Sequence, residues 1–130
     1  MIGLLPELDD VPAGRTPRLI LLVDDDASLR ELLRATLPED DYEVIEAGDA
    51  RGALAAIDGQ DVDLVVLDWR LPDGTGGDVL AHVKAQRPDL PVIVLTAEAR
   101  VEAEQADAFL RKPFSPLALL DLVDVLAGRD

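Results

Sequence analysis

Polar side chains of three chemical types stand directly after short apolar segments of the chain. They are the carboxylates Asp24, Asp25, Asp26 and Asp68, the hydroxyl of Thr96 and the amine of Lys112. Carboxylates that converge in a site of low dielectric repel one another, and a hard divalent cation among them relieves the repulsion. An all-oxygen ligand set without His or Cys favours magnesium. A hydroxyl and an amine beside such a metal could hold a phosphoryl group, because phosphoryl transfer requires mainly positioning and charge neutralisation.

Each of these features alone has an ordinary structural explanation. An Asp-Asp-Asp run is more often a solvated turn or a helix cap than a metal site. A Thr in a turn and a Lys before a Pro are common at protein surfaces. The functional interpretation therefore depends on whether the fold brings these segments together.

Short apolar segments alternate with segments of helical periodicity from residue 18 onward. The apolar segments predict five strands, at Leu19–Val23, Tyr42–Glu46, Leu64–Leu67, Pro91–Leu95 and Ala108–Leu110. Five helices are predicted: one between the N-cap Asp26 and Pro38, one from Asp49 to Gly59, one through Val79, Leu80 and Val83, a short one over Glu98–Ala106, and one from the N-cap Ser115 to Ala127. This order predicts an α/β fold, a doubly wound five-stranded parallel sheet with helices on both faces. Such sheets bind ligands at the carboxyl ends of their strands, which is where the polar residues stand.

The composition argues against several classes of function. The chain has 130 residues, 48% of them hydrophobic, which suits one domain with a substantial core. Twelve basic and 27 acidic side chains give a net charge of −15, which argues against direct binding to nucleic acid or to an anionic membrane surface. Cysteine is absent, which excludes disulfides, thiolate catalysis and Cys-ligated zinc. The apolar runs are too short to span a membrane and the chain does not begin with a basic signal segment, so we expect a cytoplasmic protein.

The predicted domain occupies residues 18–127. Residues 1–17 contain Pro6, Pro12, Gly14 and Pro17 without sustained periodicity, which predicts an irregular N-terminal extension. Residues 128–130 are expected to form a short tail. Because no sequence after residue 130 could hold an output domain, we expect a stand-alone domain that acts through protein–protein contacts.

Four segments of the chain resemble the receiver domain of two-component response regulators, a bacterial signalling family. They are LILLVDDDASLRELL, LVVLDWRLPDGTG, VIVLTA and FLRKPF, in the order of the family and mostly at its spacing. The resemblance covers about residues 18–127 and implies a flavodoxin-like receiver fold. It implies a phosphorylation-dependent switch rather than an enzyme. The phosphoryl donor would be a sensor histidine kinase or a phosphotransfer protein, and the target a downstream protein.

The resemblance also assigns the phosphorylation chemistry to particular residues. Asp68 would be the phosphoacceptor, and Lys112 would pair with the phosphoryl oxygens. Magnesium would be bound by Asp25 directly, by Asp24 through water, by Asp68, and by the backbone carbonyl of Arg70.

A second group of residues would relate phosphorylation to output. Thr96 would be the switch hydroxyl that moves onto the phosphoryl group. Phe109 would be the aromatic residue that rotates inward when Thr96 moves. Pro113 would follow Lys112 through a cis-peptide bond. A tether formed only after phosphorylation would shift the population between two backbone states.

Arg70 and Glu98 stand two residues after the acceptor and two residues after the switch Thr. These positions resemble those that tune dephosphorylation in the family. Their opposite charges could pair over the site and hinder the approach of water. The alternative is two exposed side chains with little effect, and the sequence does not choose between them.

The connection between the last two predicted strands departs from the family pattern. The interval from Thr96 to Lys112 is shorter than the family norm by about six residues, nearly two helical turns. This difference predicts a shortened fourth helix. The surface that usually carries output in the family is therefore in doubt, whereas the acceptor site should be unaffected.

The last predicted helix has an unusually wide apolar band. Leu119, Leu122, Val123 and Leu126 form one inward stripe, whereas Leu117, Leu120 and Val125 lie off it. The band indicates either an interaction face, which could form a homodimer, or additional burial beside the shortened helix.

Two other functions would use parts of the same pattern. A degenerate receiver that acts as a binding scaffold would lack the acid, the Thr or the Lys, and this chain has all three. A haloacid-dehalogenase-like magnesium phosphatase would also use an Asp nucleophile at a strand end. Such enzymes usually place a second catalytic Asp two residues later, where this chain has Arg70. A phosphorylatable switch is the preferred interpretation.

Overall fold

The computed structural model describes residues 16–98 and 103–127. Within these ranges, seven strands and four helices are present. The strands are β1 Arg18–Val23, β2 Tyr42–Ala47, β3 Leu64–Asp68, β4 Arg70–Leu71, β5 Gly74–Thr75, β6 Val92–Thr96 and β7 Ala108–Arg111. The helices are α1 Ala27–Thr36, α2 Ala50–Gly59, α3 Gly76–Gln86 and α4 Pro116–Leu126. None of these helices is long and apolar enough to cross a membrane.

Five strands form one parallel sheet in the order β2-β1-β3-β6-β7, while β4 and β5 pair separately as a small antiparallel hairpin. The predicted doubly wound five-stranded sheet is therefore confirmed. The strand order runs outward from β1 in both directions, so the crevice at the carboxyl ends of β1 and β3 is the switch point at which such sheets bind ligands.

Both faces of the sheet are buried. In β1, Leu21 and Val23 pack into the core on the side of α2 and α3, whereas Ile20 and Leu22 pack into the core on the side of α1 and α4. Successive side chains of a strand point to opposite faces, which is why an uninterrupted apolar run fits a strand that is covered on both sides. The central strands are thereby held firmly, and the residues at their ends occupy fixed positions.

Two helices begin directly after the residues that were predicted to cap them. Asp26 accepts a hydrogen bond from the N–H of Ser28, and Ser115 accepts one from the N–H of Leu117, at the two positions predicted as N-caps. Helix α2 has an additional cap from outside its own segment. Asp73, in the turn between β4 and β5, accepts from the N–H of Ala50 at 2.8 Å and from the N–H of Arg51 at 3.1 Å.

Replacing Asp73 with Asn should destabilise the protein in a pH-dependent way. The hydrogen bond from Ala50 is the main factor that lowers the pKa of Asp73 below its ordinary value of 3.8. The ionised form therefore stabilises the folded state above pH 3.8, and this contribution is lost as the pH falls through the lowered pKa. Urea unfolding at neutral pH and near pH 3 should show a difference between wild type and variant that shrinks at the lower pH. A pH-independent difference would contradict this explanation.

The short helix predicted over Glu98–Ala106 is wrong for the part that the structure describes. Residues 103–106 form a turn, in which the N–H of Ala106 donates to the carbonyl of Ala103 at 2.9 Å, and residues 99–102 lie outside the described ranges. Residues 97–107 must return the chain from the end of β6 to the start of β7, and parallel crossovers need about a dozen residues or more. The connection is therefore close to its minimum length.

Two contacts anchor the end of this short connection. Ala103 is buried in the core beside α2 and α3. The Asp107 carboxylate accepts from the N–H of Val92 at 2.8 Å and from Nζ of Lys84 at 2.9 Å. The segment is thus fixed to β6 and α3 without a helix in its described part.

The apolar band of the last helix is divided by the structure. Leu119 and Val123 are buried, and Leu120, Leu122 and Leu126 are half-buried against the same core. Two further apolar residues of α4, Leu117 and Val125, are exposed. Leu120 therefore belongs to the packed side of the helix, which favours additional burial for this residue, whereas Leu117 and Val125 remain in solvent. The predicted extension over residues 1–17 lies outside the description except for Thr16 and Pro17, and the predicted tail over residues 128–130 lies wholly outside it.

Candidate functional site

Three carboxylates converge at the carboxyl ends of the two central strands. Asp24 and Asp25 follow β1, and Asp68 is the last residue of β3. One carboxylate oxygen from each lies within 4.8 Å of the others. Asp24 is fully buried and Asp68 nearly so, whereas Asp25 is exposed. The parallel register of β1 and β3 places these residues side by side at the switch point of the sheet.

Asp24 has an electrostatic environment that suits a cation. Its Oδ1 accepts from the N–H of Asp26 at 2.8 Å, but its Oδ2 is buried without a hydrogen-bond partner. Burial raises the pKa of Asp24, and the neighbouring charge of Asp68 raises it further. A buried anionic oxygen without a partner is costly. A divalent cation bound by the three carboxylates would satisfy it, so the residues present fit a magnesium ion.

Lys112 brings a positive charge to the same site. Its Nζ lies 3.4 Å from Oδ1 of Asp68 and 3.6 Å from Oδ2 of Asp24. The N–H of Lys112 donates to the carbonyl of Thr96 at 2.8 Å, which fixes the residue beside the end of β6. The peptide bond between Lys112 and Pro113 is cis.

Thr96 ends β6 beside the carboxylates and is almost completely buried. Its Oγ1 accepts from the N–H of Glu98 at 2.9 Å, so its own hydroxyl hydrogen can be donated elsewhere. An open cleft of about 390 Å³ lies among these groups. Its lining includes Asp25, Asp68, Arg70, Thr96, Glu98 and Lys112.

Arg70 and Glu98 form an ion pair at this cleft. The Arg70 side chain is largely exposed, and the Glu98 side chain is one-third exposed. The backbone N–H of Arg70 donates to Oδ1 of Asp68 at 3.3 Å, which ties the start of β4 to the carboxylate. The two side chains are thus paired in the structure, and an effect of the pair on dephosphorylation stays a prediction.

Phe109 is a predicted site residue that the structure does not bring to the cleft. It lies in β7 beside Val94, and 47% of it is exposed. Its neighbours Ala108 and Leu110 pack into the core on the side of α1 and α4, so Phe109 projects to the opposite face of the sheet. It stays half-exposed at the edge strand.

Two residues near the site were missed by sequence reasoning. Nη1 of Arg30 donates to the backbone carbonyl of Asp24 at 2.7 Å. Gly76, at the start of α3, has no room for a side chain, because a Cβ there would lie 2.8 Å from the backbone oxygen of Asp68. The Gly-rich segment after Asp68 could have indicated the close approach of Gly76 to Asp68. Nothing in the sequence pattern indicates the contact of Arg30 with the Asp24 carbonyl.

Comparison with known proteins agrees with this fold. A sequence model of the response regulator receiver domain matches residues 20–124. The probable transcriptional regulatory protein TcrX of Mycobacterium tuberculosis is 40% identical over 109 residues, which cover 79% of this chain and 47% of TcrX. The phosphate regulon transcriptional regulatory protein PhoB of Escherichia coli is 35% identical over 120 residues, which cover 86% of this chain and 52% of PhoB. This chain thus spans about half the length of these curated relatives.

Solved structures give the same result. A CheY-like response regulator receiver domain from Methanospirillum hungatei superposes with a TM-score of 0.79 at 31% identity, covering 85% of this chain and 94% of that one. The response regulator TrrA from Thermotoga maritima, solved in complex with Mg2+-BeF, has a TM-score of 0.77 at 32% identity and covers 84% of this chain and 98% of its own.

Proposed function

This chain belongs to the response regulator receiver domain family, and from that premise we propose that it is a phosphorylation-dependent switch in which Asp68 accepts the phosphoryl group with magnesium as cofactor. Membership of the family supports phosphorylation-based signalling in general. The observation that supports the specific proposal is the convergence of three carboxylates with the amine of Lys112 and the hydroxyl of Thr96 at the switch point of the sheet, beside one cleft.

Phosphoryl transfer to Asp68 is a displacement at phosphorus. A carboxylate oxygen of Asp68 forms a bond to the phosphorus of a phosphohistidine on a sensor kinase or phosphotransfer protein. The bond between phosphorus and the imidazole nitrogen breaks, its electron pair stays on that nitrogen, and Asp68 becomes an acyl phosphate. Lys112, whose Nζ lies 3.4 Å from Asp68, pairs with the phosphoryl oxygens and offsets their charge.

The magnesium ion would be held by Asp24, Asp25, Asp68 and the backbone carbonyl of Arg70. When bound, magnesium offsets the negative charge shared by the carboxylates and the incoming phosphoryl group. The Oδ2 of Asp24, which is buried without a hydrogen-bond partner and lies 3.6 Å from Nζ of Lys112, supports this assignment from the chain itself. The Mg2+-BeF complex of TrrA supports it from a relative.

Thr96 and Phe109 would carry the signal away from the site. The Thr96 hydroxyl is free to donate to a phosphoryl oxygen, and such a bond would draw the end of β6 toward Asp68. Phe109 is half-exposed on β7, where it could turn inward into space that Thr96 vacates. Contact with a downstream protein would then depend on the positions of Thr96 and Phe109 at this edge of the sheet.

The ion pair between Arg70 and Glu98 would lengthen the lifetime of the phosphoryl group. Both of its side chains line the cleft beside Asp68, through which an attacking water would approach. Opening an exposed ion pair costs about 0.2–1 kcal/mol, so a water that must open this pair before it attacks is slowed by about 1.4-fold to 5-fold.

Replacing Glu98 with Gln should therefore speed loss of the phosphoryl group by a factor in that range. Arg70→Gln should have a similar effect, and the double variant should be no faster than the faster single variant, because all three break the same ion pair. Decay of phosphorylated protein, followed by intact-protein mass spectrometry after removal of the donor, measures these rates. Unchanged decay in both single variants would contradict the role of the pair.

Removal of metal tests the proposed function as a whole. Wild-type protein incubated with acetyl phosphate and Mg2+ should gain one phosphoryl group, and addition of EDTA should prevent the gain. Phosphorylation that persists in EDTA would overturn the magnesium assignment. If neither acetyl phosphate nor a phosphorylated histidine kinase modifies the protein, the switch function is overturned.

A further inference from the structure

Arg30 links helix α1 to the loop that carries the acidic residues. Its Nη1 donates to the backbone carbonyl of Asp24 at 2.7 Å, and its Nε lies 3.0 Å from Oε1 of Glu46. Glu46 is in β2, the strand next to β1, so it anchors the guanidinium from the sheet. The side chain is only about one-quarter exposed. Arg30 therefore spans from the helix to the loop, and its guanidinium is ion-paired with Glu46, although its Nε–H makes no hydrogen bond.

The carbonyl that accepts the hydrogen bond from Arg30 belongs to the peptide unit between Asp24 and Asp25. A peptide unit is planar, so holding its oxygen also fixes the N–H and the Cα of Asp25. On the other side of Asp24, its own N–H donates to the carbonyl of Ala47 at 3.0 Å. The Arg30 contact therefore holds the part of the loop from which the exposed carboxylate of Asp25 reaches the cluster.

We propose that Arg30 is a positioning residue for the magnesium site, and that Glu46 orients its guanidinium. This inference rests on the proposed function, because it concerns the site that binds magnesium there. Arg30 acts through the backbone of Asp24 and does not contact the metal. Groups that orient metal ligands typically change metal affinity by about 10–100-fold when they are removed.

The direction of the change in magnesium affinity distinguishes loss of positioning from loss of a positive charge. A guanidinium near a divalent cation repels it, so removing a positive charge alone would tighten magnesium binding. Loss of positioning would weaken binding, because Asp25 would no longer be held where it completes the cluster. The two explanations predict opposite signs.

Arg34 provides a matched control on the same helix. It lies one turn after Arg30, forms an ion pair with the same Glu46, and donates from Nη2 to the carbonyl of Val44 at 3.0 Å. It therefore shares the charge, the helix and the partner of Arg30, but it holds a carbonyl within β2 rather than the one in the acidic loop.

The test is a magnesium titration of wild type, Arg30→Met, Arg30→Lys and Arg34→Met, read from the fluorescence of Trp69, which lines the cleft next to Asp68. We expect Arg30→Met to weaken magnesium affinity by about 10-fold or more. Arg30→Lys should restore part of the affinity, because an ammonium can still donate to the Asp24 carbonyl. Arg34→Met should leave affinity unchanged or slightly higher. Urea unfolding of each variant identifies any effect that follows from stability alone.

Glu46→Gln is a second variant in case Arg30→Met does not fold. It keeps the guanidinium but removes the charged partner that orients it, so it should weaken magnesium affinity less than Arg30→Met does. Unchanged or tighter binding by a folded Arg30→Met protein would overturn the inference, as would equal weakening by Arg34→Met. If the wild-type protein itself does not bind magnesium, the proposed function fails, and the positioning role fails with it.

Discussion

Replacing Asp68 with Asn should abolish phosphorylation by acetyl phosphate or by a phosphorylated kinase. The amide oxygen and nitrogen of Asn are not nucleophilic toward phosphorus, so no acyl phosphate can form at residue 68. Asn has nearly the size of Asp, and Asp68 packs tightly at the end of a buried strand. The fold should therefore be retained, with an unchanged circular dichroism spectrum. Intact-protein mass spectrometry should detect no phosphoryl adduct.

Asp26→Asn is the matched control for this loss. Asp26 belongs to the same acidic run, but it is not a member of the carboxylate cluster, and its side chain caps helix α1. Asn is a good N-cap, so both the helix and the adduct should persist. A phosphoryl adduct of normal yield on Asp68→Asn would contradict the assignment of the acceptor.

Replacing Gly76 with Ala should have the largest effect on stability among single-methyl additions near the site. A Cβ at residue 76 would lie 2.8 Å from the backbone oxygen of Asp68 and 3.1 Å from Cα of Trp69. Both neighbours are backbone atoms that cannot rotate away, so helix α3 or the end of β3 must shift. Overpacking of this kind costs about 1–3 kcal/mol in free energy of unfolding, which urea denaturation measures.

Gly59→Ala isolates the steric cause. Gly59 is also in a helix, α2, but a Cβ there would meet nothing within 4 Å. Gly59 is the last residue of α2, where the advantage of Ala over Gly is smaller than in the middle of a helix, so this variant should be about as stable as wild type. If both substitutions have the same effect, the close approach of Gly76 to Asp68 does not restrict this position.

Much of the fold could be predicted because local sequence patterns determine it directly. Uninterrupted apolar runs predicted β1, β3 and β6, whose residues are buried on both faces of the sheet. The N-caps Asp26 and Ser115 were predicted because a short polar side chain satisfies N–H groups that a helix start leaves free. Four polar residues follow predicted parallel strands, so they were predicted to lie at one edge of the sheet: Asp24, Asp68, Thr96 and Lys112.

The remaining features depend on contacts between distant segments. The stretch at Glu98–Ala106 was predicted to be helical, but its described part is a turn that β6 and α3 hold through Asp107. The contact of Arg30 with the Asp24 carbonyl could not be predicted, because an Arg in an amphipathic helix is ordinary in sequence. Phe109 is half-exposed on β7, an edge strand of the sheet, and this position depends on the strand order rather than on the local sequence pattern.

The most direct test of the central claim is to locate the phosphoryl group chemically. Reduction of the phosphorylated protein with sodium borohydride converts an aspartyl phosphate to homoserine, and peptide mass spectrometry then identifies the converted residue. We predict homoserine at residue 68 and unmodified Asp at residues 24, 25 and 26, with conversion only when acetyl phosphate and Mg2+ were both present. Homoserine at another position, or a phosphoryl adduct that borohydride does not convert, would contradict Asp68 as the acceptor.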